Sequence, residues 1–143
     1  MKHFAPALLL GFCSLCGFGP LRAQEVYKPE IRVEKILKTS LDSAGHPIVY
    51  PKEGVPEVTG ALVTIPVGGE TGWHILTIPC VAYVIEGEVT VQWEDGSTRT
   101  IKAGEAFAEV VNLKHNGFNR GKAPTKLIMF AIGTTGTPIA VKQ

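Results

Sequence analysis

The sequence has 143 residues, which fits one domain and leaves little room for a second. Hydrophobic residues make up 45% and charged residues 19%, a balance typical of a folded globular chain rather than a disordered one. Lys and Arg number 14 against 13 Asp and Glu, for a net charge of +1, which argues against a polybasic nucleic-acid-binding surface. The 16 Gly and 10 Pro indicate many turns and hence β structure.

The first 23 residues have the three zones of a secretory signal peptide. Lys2 and His3 form a short positive start, residues 4–18 are mostly apolar, and Ala23 offers a small residue for cleavage. The apolar stretch is short for a membrane span, which needs about 20 residues, although an uncleaved anchor is the alternative. We therefore expect cleavage after Ala23, a periplasmic or secreted location, and no membrane association of the mature chain.

Residues 24–57 are expected to form an N-terminal extension. Ile31, Val33 and Ile36–Leu37 could form one short edge strand, whereas three prolines make residues 46–57 a loop or edge segment. Sheet edges need to be covered, and this edge strand is available for exchange between two copies of the chain. The sequence therefore predicts a homodimer.

Regular strand signals begin at Val58, and we predict a single β domain over residues 58–143. Val89, Val91 and Trp93 alternate with polar residues, which is the period of a strand with one buried face. Asp95–Gly96 is a strong hairpin signal. Short strands this close together indicate a sandwich or a barrel; they are predicted at 58–66, 73–78, 81–85, 89–93, 98–101, 106–111 and 126–132.

Two histidines in this half of the chain stand in spaced patterns. The first pattern is Gly68, five residues, His74–Ile75–Leu76, three residues, Cys80, six residues and Gly87. The second pattern is Gly104, five residues, Val110–Val111–Asn112, two residues, His115, three residues and Asn119. In spacing, both resemble the two motifs of the cupin family, and the resemblance covers residues 60–132. The sequence looks in particular like the small exported single-domain cupins of unassigned function.

The resemblance to cupins implies an all-β double-stranded β-helix, a jelly-roll barrel that holds one divalent metal ion inside. In the family the ligands are a His-x-His pair and a glutamate from the first motif and a histidine from the second. Here His74 and His115 stand at histidine positions, but Leu76 replaces the second histidine and Cys80 replaces the glutamate. Two of the four expected ligands are therefore missing.

Two side chains could supply a further ligand. Glu109 shares parity with Phe107 and Val111, so if that side of the predicted strand faces inward, His74, His115 and Glu109 form a two-histidine, one-carboxylate set suited to non-haem iron. A Cys80 thiolate would instead favour zinc or copper(I), although a free cysteine is more often a small buried apolar residue. We predict a site of His74, His115 and Glu109 and leave iron, zinc and manganese open.

Three classes of function follow, of which the last-ranked is an interaction protein that works through its N-terminal segment or its tail, residues 133–143. The first is a metal-dependent enzyme acting on an unknown small molecule in the barrel, since cupin pockets are concave and apolar. The second is a non-catalytic module that binds a small ligand beside a degenerate metal site, which the leucine at position 76 favours. No acid–base pair in the sequence fixes a reaction class, so no catalytic residue is assigned.

Overall fold

The computed structural model describes residues 30–142. The chain divides into two units, Met1–Val33 and Glu34–Gln143, and the strands described below all lie in the second. The predicted signal peptide and its cleavage point fall outside the described residues. Residues 30–142 contain no helix with the length and hydropathy that crossing a membrane requires.

Two antiparallel sheets form a jelly-roll barrel, as the sequence predicts. One sheet has the strand order β1-β8-β3-β6 and the other has the order β5-β4-β7-β2-β9. Within the described residues the strands are β1 Pro56–Ile65, β2 His74–Leu76, β3 Cys80–Glu86, β4 Glu88–Trp93, β5 Thr98–Lys102, β6 Ala106–Ala108, β7 His115–Phe118, β8 Thr125–Thr134 and β9 Ala140–Lys142. Seven of these were expected from the sequence pattern, with ends that differ by a few residues.

The inner faces of the two sheets meet in an apolar core. Alternation decides which side chains enter it: on β4, Val89, Val91 and Trp93 are buried, as their period predicts. The larger core cluster consists of Ile65, Ala82, Val84, Val89, Val91, Trp93, Ile101, Phe107, Val110 and Leu127. A smaller cluster of Leu76, Ile78, Cys80 and Ala131 lies next to the histidine-bearing strand β2.

The predicted edge strand over Ile31–Leu37 is wrong. No strand is assigned to residues 31–39, and the first regular pairing is that of Pro56 on β1 with Thr134 on β8. Ile36 and Leu37 instead border an apolar depression on the outer face of the first sheet, beside Tyr83 and Phe130. These apolar residues therefore lie beside the face of the sheet and are not paired with its edge.

Left-handed backbone conformations explain three of the motif positions. Gly87 and Gly104 both have positive φ, at 74° and 91°, as tight turns at strand ends require. Asn112, in the second spaced pattern, stands where the cupin motif that it resembles has a glycine, and its φ is 60°. Asparagine is among the few side chains that tolerate this conformation, so the replacement preserves the turn.

Alanine substitutions at two glycines with similar φ distinguish the cost of the backbone conformation from the cost of a steric clash. Gly87 and Gly96 have φ of 74° and 80°, but a Cβ on Gly87 would lie 2.8 Å from the Pro124 carbonyl oxygen, whereas Gly96 has open space around it. We expect Gly96→Ala to cost about 1 kcal/mol of unfolding free energy from φ alone. Gly87→Ala should cost about 2–3 kcal/mol, because the clash adds to it. Urea denaturation of both variants checks this, and equal losses would contradict the close approach to Pro124.

Candidate metal centre

The pairing of β2 with β7 brings the two predicted histidines face to face. His74 and His115 are direct cross-strand partners, and their ring centroids lie 4.4 Å apart with the planes tilted by 55°. Both side chains line the cavity inside the barrel. Leu76, two residues further along the same strand, lines the same cavity.

Backbone carbonyl groups fix the protonation of both imidazoles. Nδ1 of His74 lies 2.7 Å from the Gly72 carbonyl oxygen, and Nδ1 of His115 lies 2.8 Å from that of Leu113. A carbonyl oxygen can only accept a hydrogen bond, so each Nδ1 carries the proton and donates it. In the neutral imidazoles the lone pair is therefore on Nε2, and a carbonyl partner of this kind is typical of metal-binding histidines.

His115 is held in the neutral form that a metal ligand requires. It is 3% exposed, and its Nε2 atom is buried without a hydrogen-bond partner. Burial lowers the pKa of His115, the bond to the Leu113 carbonyl raises it, and the neighbouring His74 lowers it further, with a net downward shift. The ring is therefore neutral at physiological pH.

Glu109 reaches the same cavity from the other sheet. The strand β6 ends one residue earlier than Glu109, but the backbone N–H of Glu109 still donates to the Cys80 carbonyl at 2.8 Å, which continues the ladder. Phe107 and Glu109 both line the cavity, as their parity predicts, whereas Val111 borders a different one. The inward direction predicted for Glu109 is thus seen in the structure, although Val111 does not share it.

One oxygen atom of the Glu109 carboxyl group is shielded from solvent. The residue as a whole is half-buried, but its Oε1 atom is closed off from solvent and has no hydrogen-bond partner. Burial raises the pKa of Glu109 from 4.5 to about 7. A buried carboxylate without donors needs a cation, or else it takes up a proton.

Cys80 behaves as a buried thiol rather than as a ligand. It is 1% exposed, and its Sγ makes only a weak contact of 3.6 Å with the Ile78 carbonyl. Burial, and then the nearby Glu109 charge, raise the pKa of Cys80 to about 12. Because metals bind the thiolate, this environment disfavours the alternative in which Cys80 supplies the third ligand.

The cavity is about 320 Å³ in volume, which suits a small organic molecule. Its walls are mainly apolar, and its polar members are Thr71, His74, Glu109, His115 and Lys142. Its lining residues are Val63, Ile65, Thr71, His74, Leu76, Val89, Val91, Phe107, Glu109, His115, Gly117, Leu127, Met129, Ala140 and Lys142. A second cavity of about 420 Å³ lies between the 42–51 loop and the segments around Cys80 and Glu109, so Glu109 borders both.

The donor set fits a metal ion only in part. The two imidazoles fit, because both side chains line the cavity and the Nδ1 bonds to carbonyl oxygens leave each lone pair on Nε2. Glu109 lies in the same cavity, yet within residues 30–142 no three His, Cys, Asp or Glu side chains are already grouped as a metal site. Closing the set requires the Glu109 side chain to move toward the histidines, and Leu76 occupies the place of the absent imidazole.

Sequence reasoning missed two contributors to this cavity, Thr71 and Lys142. Thr71 lies in the irregular segment before β2, where no periodicity marks its direction. Lys142 lies on β9, a strand of only three residues. Its pairing with β2 could not be read from so short a pattern.

Comparison with family models identifies the barrel. Residues 61–131 match the family described as Cupin domain. Comparison with curated proteins finds no significant match.

Solved structures share the fold. An oxalate oxidase in complex with the substrate analogue glycolate is 25% identical with a TM-score of 0.50, covering 59% of this chain and 45% of its own. The DMSP lyase DddQ from Ruegeria pomeroyi is 16% identical with a TM-score of 0.52, over 60% and 43% of the two chains. A double-stranded β-helix protein from Klebsiella pneumoniae is 20% identical with a TM-score of 0.51, over 66% and 91%. The match with the oxalate oxidase thus spans less than half of that protein.

The buried carboxyl of Glu109 predicts a pH-dependent stability of the metal-free protein. Because its pKa rises from 4.5 to about 7 on folding, the native state keeps a proton that the unfolded chain releases. The stability that this group contributes is complete below pH 4.5 and is lost as the pH rises through 7, by about 3 kcal/mol. Glu109→Gln removes the loss, so in urea denaturation E109Q should match the wild type at pH 4 and exceed it by about 3 kcal/mol at pH 8.

Glu57, an exposed carboxylate on β1, provides the control. E57Q should keep the wild-type difference in unfolding free energy between the two pH values. If E109Q also keeps it, the Glu109 carboxyl is solvated and the argument from its burial is wrong.

Proposed function

Since this chain belongs to the cupin superfamily, we propose that its barrel binds one divalent metal ion and a small organic molecule beside it, and that it acts as a metal-dependent enzyme. The proposed ligands are His74, His115 and Glu109. The likeness to an oxalate oxidase bound to glycolate supports a small-molecule ligand in a cavity of this kind. The reaction itself is left open.

One observation carries the proposal: the cavity holds two buried polar atoms that lack partners, and both are metal-ligand types. They are Nε2 of His115 and Oε1 of Glu109. An unpartnered buried polar atom costs about 1–3 kcal/mol, so a ligand that satisfies both would recover that cost. A divalent cation is one partner that suits both an imidazole lone pair and a carboxylate.

The two-histidine, one-carboxylate composition favours iron, with zinc and manganese as the other candidates. A bound ion of this kind would supply Lewis-acid or oxygen-activating chemistry next to the apolar wall. The protein's own residues orient the imidazoles through the Gly72 and Leu113 carbonyls and exclude water through the apolar lining. Leu76 lines the cavity at the position where other cupins carry an imidazole.

The second candidate function is a non-catalytic binding module. It is favoured by Leu76, which is 3% exposed and cannot coordinate a metal, and by the absence of a ready-grouped ligand set among residues 30–142. The barrel would then hold a small ligand with a weak metal site or none. Near-stoichiometric metal in protein purified without a chelating tag supports the enzyme, and a site that stays empty supports the binding module.

We also propose that the chain is exported and assembles as a homodimer. Export rests on the order of charge, apolar run and small residue in the first 23 residues. The homodimer is supported by the outer face of the first sheet, where Val58, Leu62 and Phe130 are 65%, 66% and 46% exposed. Side chains of this type on one sheet face are typical of surfaces that associate.

Substitution of the three proposed ligands tests the site. His74→Ala and His115→Ala should each weaken metal binding about 100-fold or more, and Glu109→Ala about 10-fold, because each removes a donor. Cys80→Ala should change the affinity little. The measurement is metal content by mass spectrometry and calorimetric titration of metal-free protein with Zn²⁺, Mn²⁺ and, without oxygen, Fe²⁺.

His46, an exposed histidine on the 42–51 loop, provides the matched control, and His46→Ala should bind metal like the wild type. If Glu109→Ala leaves metal content unchanged, the three-residue set is wrong and Cys80 becomes the candidate ligand. If all three residues can be replaced without effect, the barrel does not use this site.

Leu76→His tests whether the absence of an imidazole at position 76 lowers the metal affinity of the site. The new side chain would face the cavity beside His74, so metal affinity should rise about 10-fold, equivalent to about 1.4 kcal/mol. Leu76→Ile keeps an apolar side chain of similar volume and should leave the affinity unchanged. Equal affinities of L76H and L76I in the same titration would show that position 76 does not face the metal.

A further inference from the structure

The strand β9 forms part of the wall of the metal cavity. It pairs antiparallel with β2, so that Lys142 is the cross-strand partner of His74, Val141 of Ile75 and Ala140 of Leu76. The Thr77 N–H donates to the Ile139 carbonyl at 3.0 Å, and the Thr77 hydroxyl donates to the Pro138 carbonyl. These bonds tie the segment to the barrel on the side of the histidines.

This pairing directs Lys142 into the site. Directly paired residues of an antiparallel ladder have Cβ atoms about 5 Å apart and share a face of the sheet. His74 faces the cavity, and Lys142 accordingly lines the same cavity. Lys142 is itself exposed, so the residue lies at the open rim of the cavity, on the side of His74.

Lys142 gives the cavity a fixed positive charge. Among the described residues that line it, Lys142 is the only lysine or arginine, and Glu109 is the only carboxylic acid. The ion pairs within residues 30–142 do not join these two side chains. The cavity thus has a cation near the histidines and apolar walls made by such residues as Val63, Leu127 and Met129.

We propose that Lys142 binds the carboxylate of a small amphipathic acid, whose apolar part lies against the aliphatic wall of the barrel. An ammonium group beside an apolar cavity selects a ligand with one anionic end and one apolar end, because each part then meets its complement. This inference rests on the proposed function for the location of the ligand, and it assigns the chemical class of that ligand. It also gives β9 a role in recognition.

The alternative is that Lys142 protects the edge of the sheet. β9 is the outermost strand of its sheet, and lysine on an edge strand discourages pairing with other chains. A protective lysine would affect aggregation and would not affect the choice of ligand. The two roles therefore differ in a binding measurement.

The experiment is calorimetric titration of the full chain with hexanoate and with hexanamide, its uncharged analogue, in metal-free and zinc-loaded protein. We expect the wild type to prefer hexanoate, and Lys142→Gln to weaken hexanoate binding about 10- to 100-fold, the effect of losing a hydrogen bond to a charged group. Lys142→Arg should stay within about threefold of the wild type, and hexanamide binding should not change. Lys122→Gln, which removes an exposed lysine that does not line the cavity, is the control.

The outcomes separate this proposal from the metal proposal. Loss of hexanoate affinity in K142Q with unchanged zinc content supports a recognition role, and the same loss in metal-free protein supports it even if no metal binds. Equal affinity of K142Q and wild type for hexanoate overturns it, as does equal affinity of the wild type for hexanoate and hexanamide. A wild type that binds neither probe in either form also overturns it.

Discussion

The site depends on the cross-strand pairing of His74 with His115. It joins two strands that are 41 residues apart in sequence, and it places the imidazoles 4.4 Å from each other inside the barrel. Each ring is then fixed by a carbonyl two residues before it, Gly72 for one and Leu113 for the other. The sheet register therefore determines where the histidines lie, and the carbonyl bonds determine that each neutral ring carries its lone pair on Nε2.

The register between β3 and β6 likewise determines where the Glu109 carboxylate lies. β3 and β6 pair so that Ala82 opposes Phe107 and Val81 opposes Ala108, and the Glu109 N–H extends this ladder to Cys80. Position 80 is the glutamate position of the first cupin motif, and here its cross-strand neighbour carries the acid instead. Glu109 thus lies directly across the ladder from Cys80, and Cys80 packs with Leu76, Ile78 and Ala131.

The sequence predicts the features that are encoded in neighbouring residues, and it fails for those that a distant partner strand determines. The alternation of Val89, Val91 and Trp93 predicts β4 correctly, and the spacing of glycines and histidines predicts the barrel and both imidazoles.

The strand β7 has the sequence HNGF, which carries little strand propensity, so its pairing with β4 depends on tertiary context. Ile36 and Leu37 are the opposite case: they are apolar and border a depression on a sheet face, yet they form no strand. The sequence could not predict that Lys142 lines the cavity, because the pairing of β9 with β2, a strand far away in sequence, sets the direction of that residue.

The desolvated Glu109 is the strongest physical argument that the cavity is a functional site. A small domain is stable by about 5–15 kcal/mol, and a carboxyl whose pKa is raised from 4.5 to about 7 removes about 3 kcal/mol of that at neutral pH and above. Glutamine would fill the same space without this loss, so packing does not explain the acid. A cation at the histidines would reverse the sign of the effect, since it stabilises the charged carboxylate that burial disfavours. Glu109 lowers the free energy of unfolding in the metal-free state and would raise it in a metal-bound state. Both effects have the same origin, which is the exclusion of water from Oε1 of Glu109.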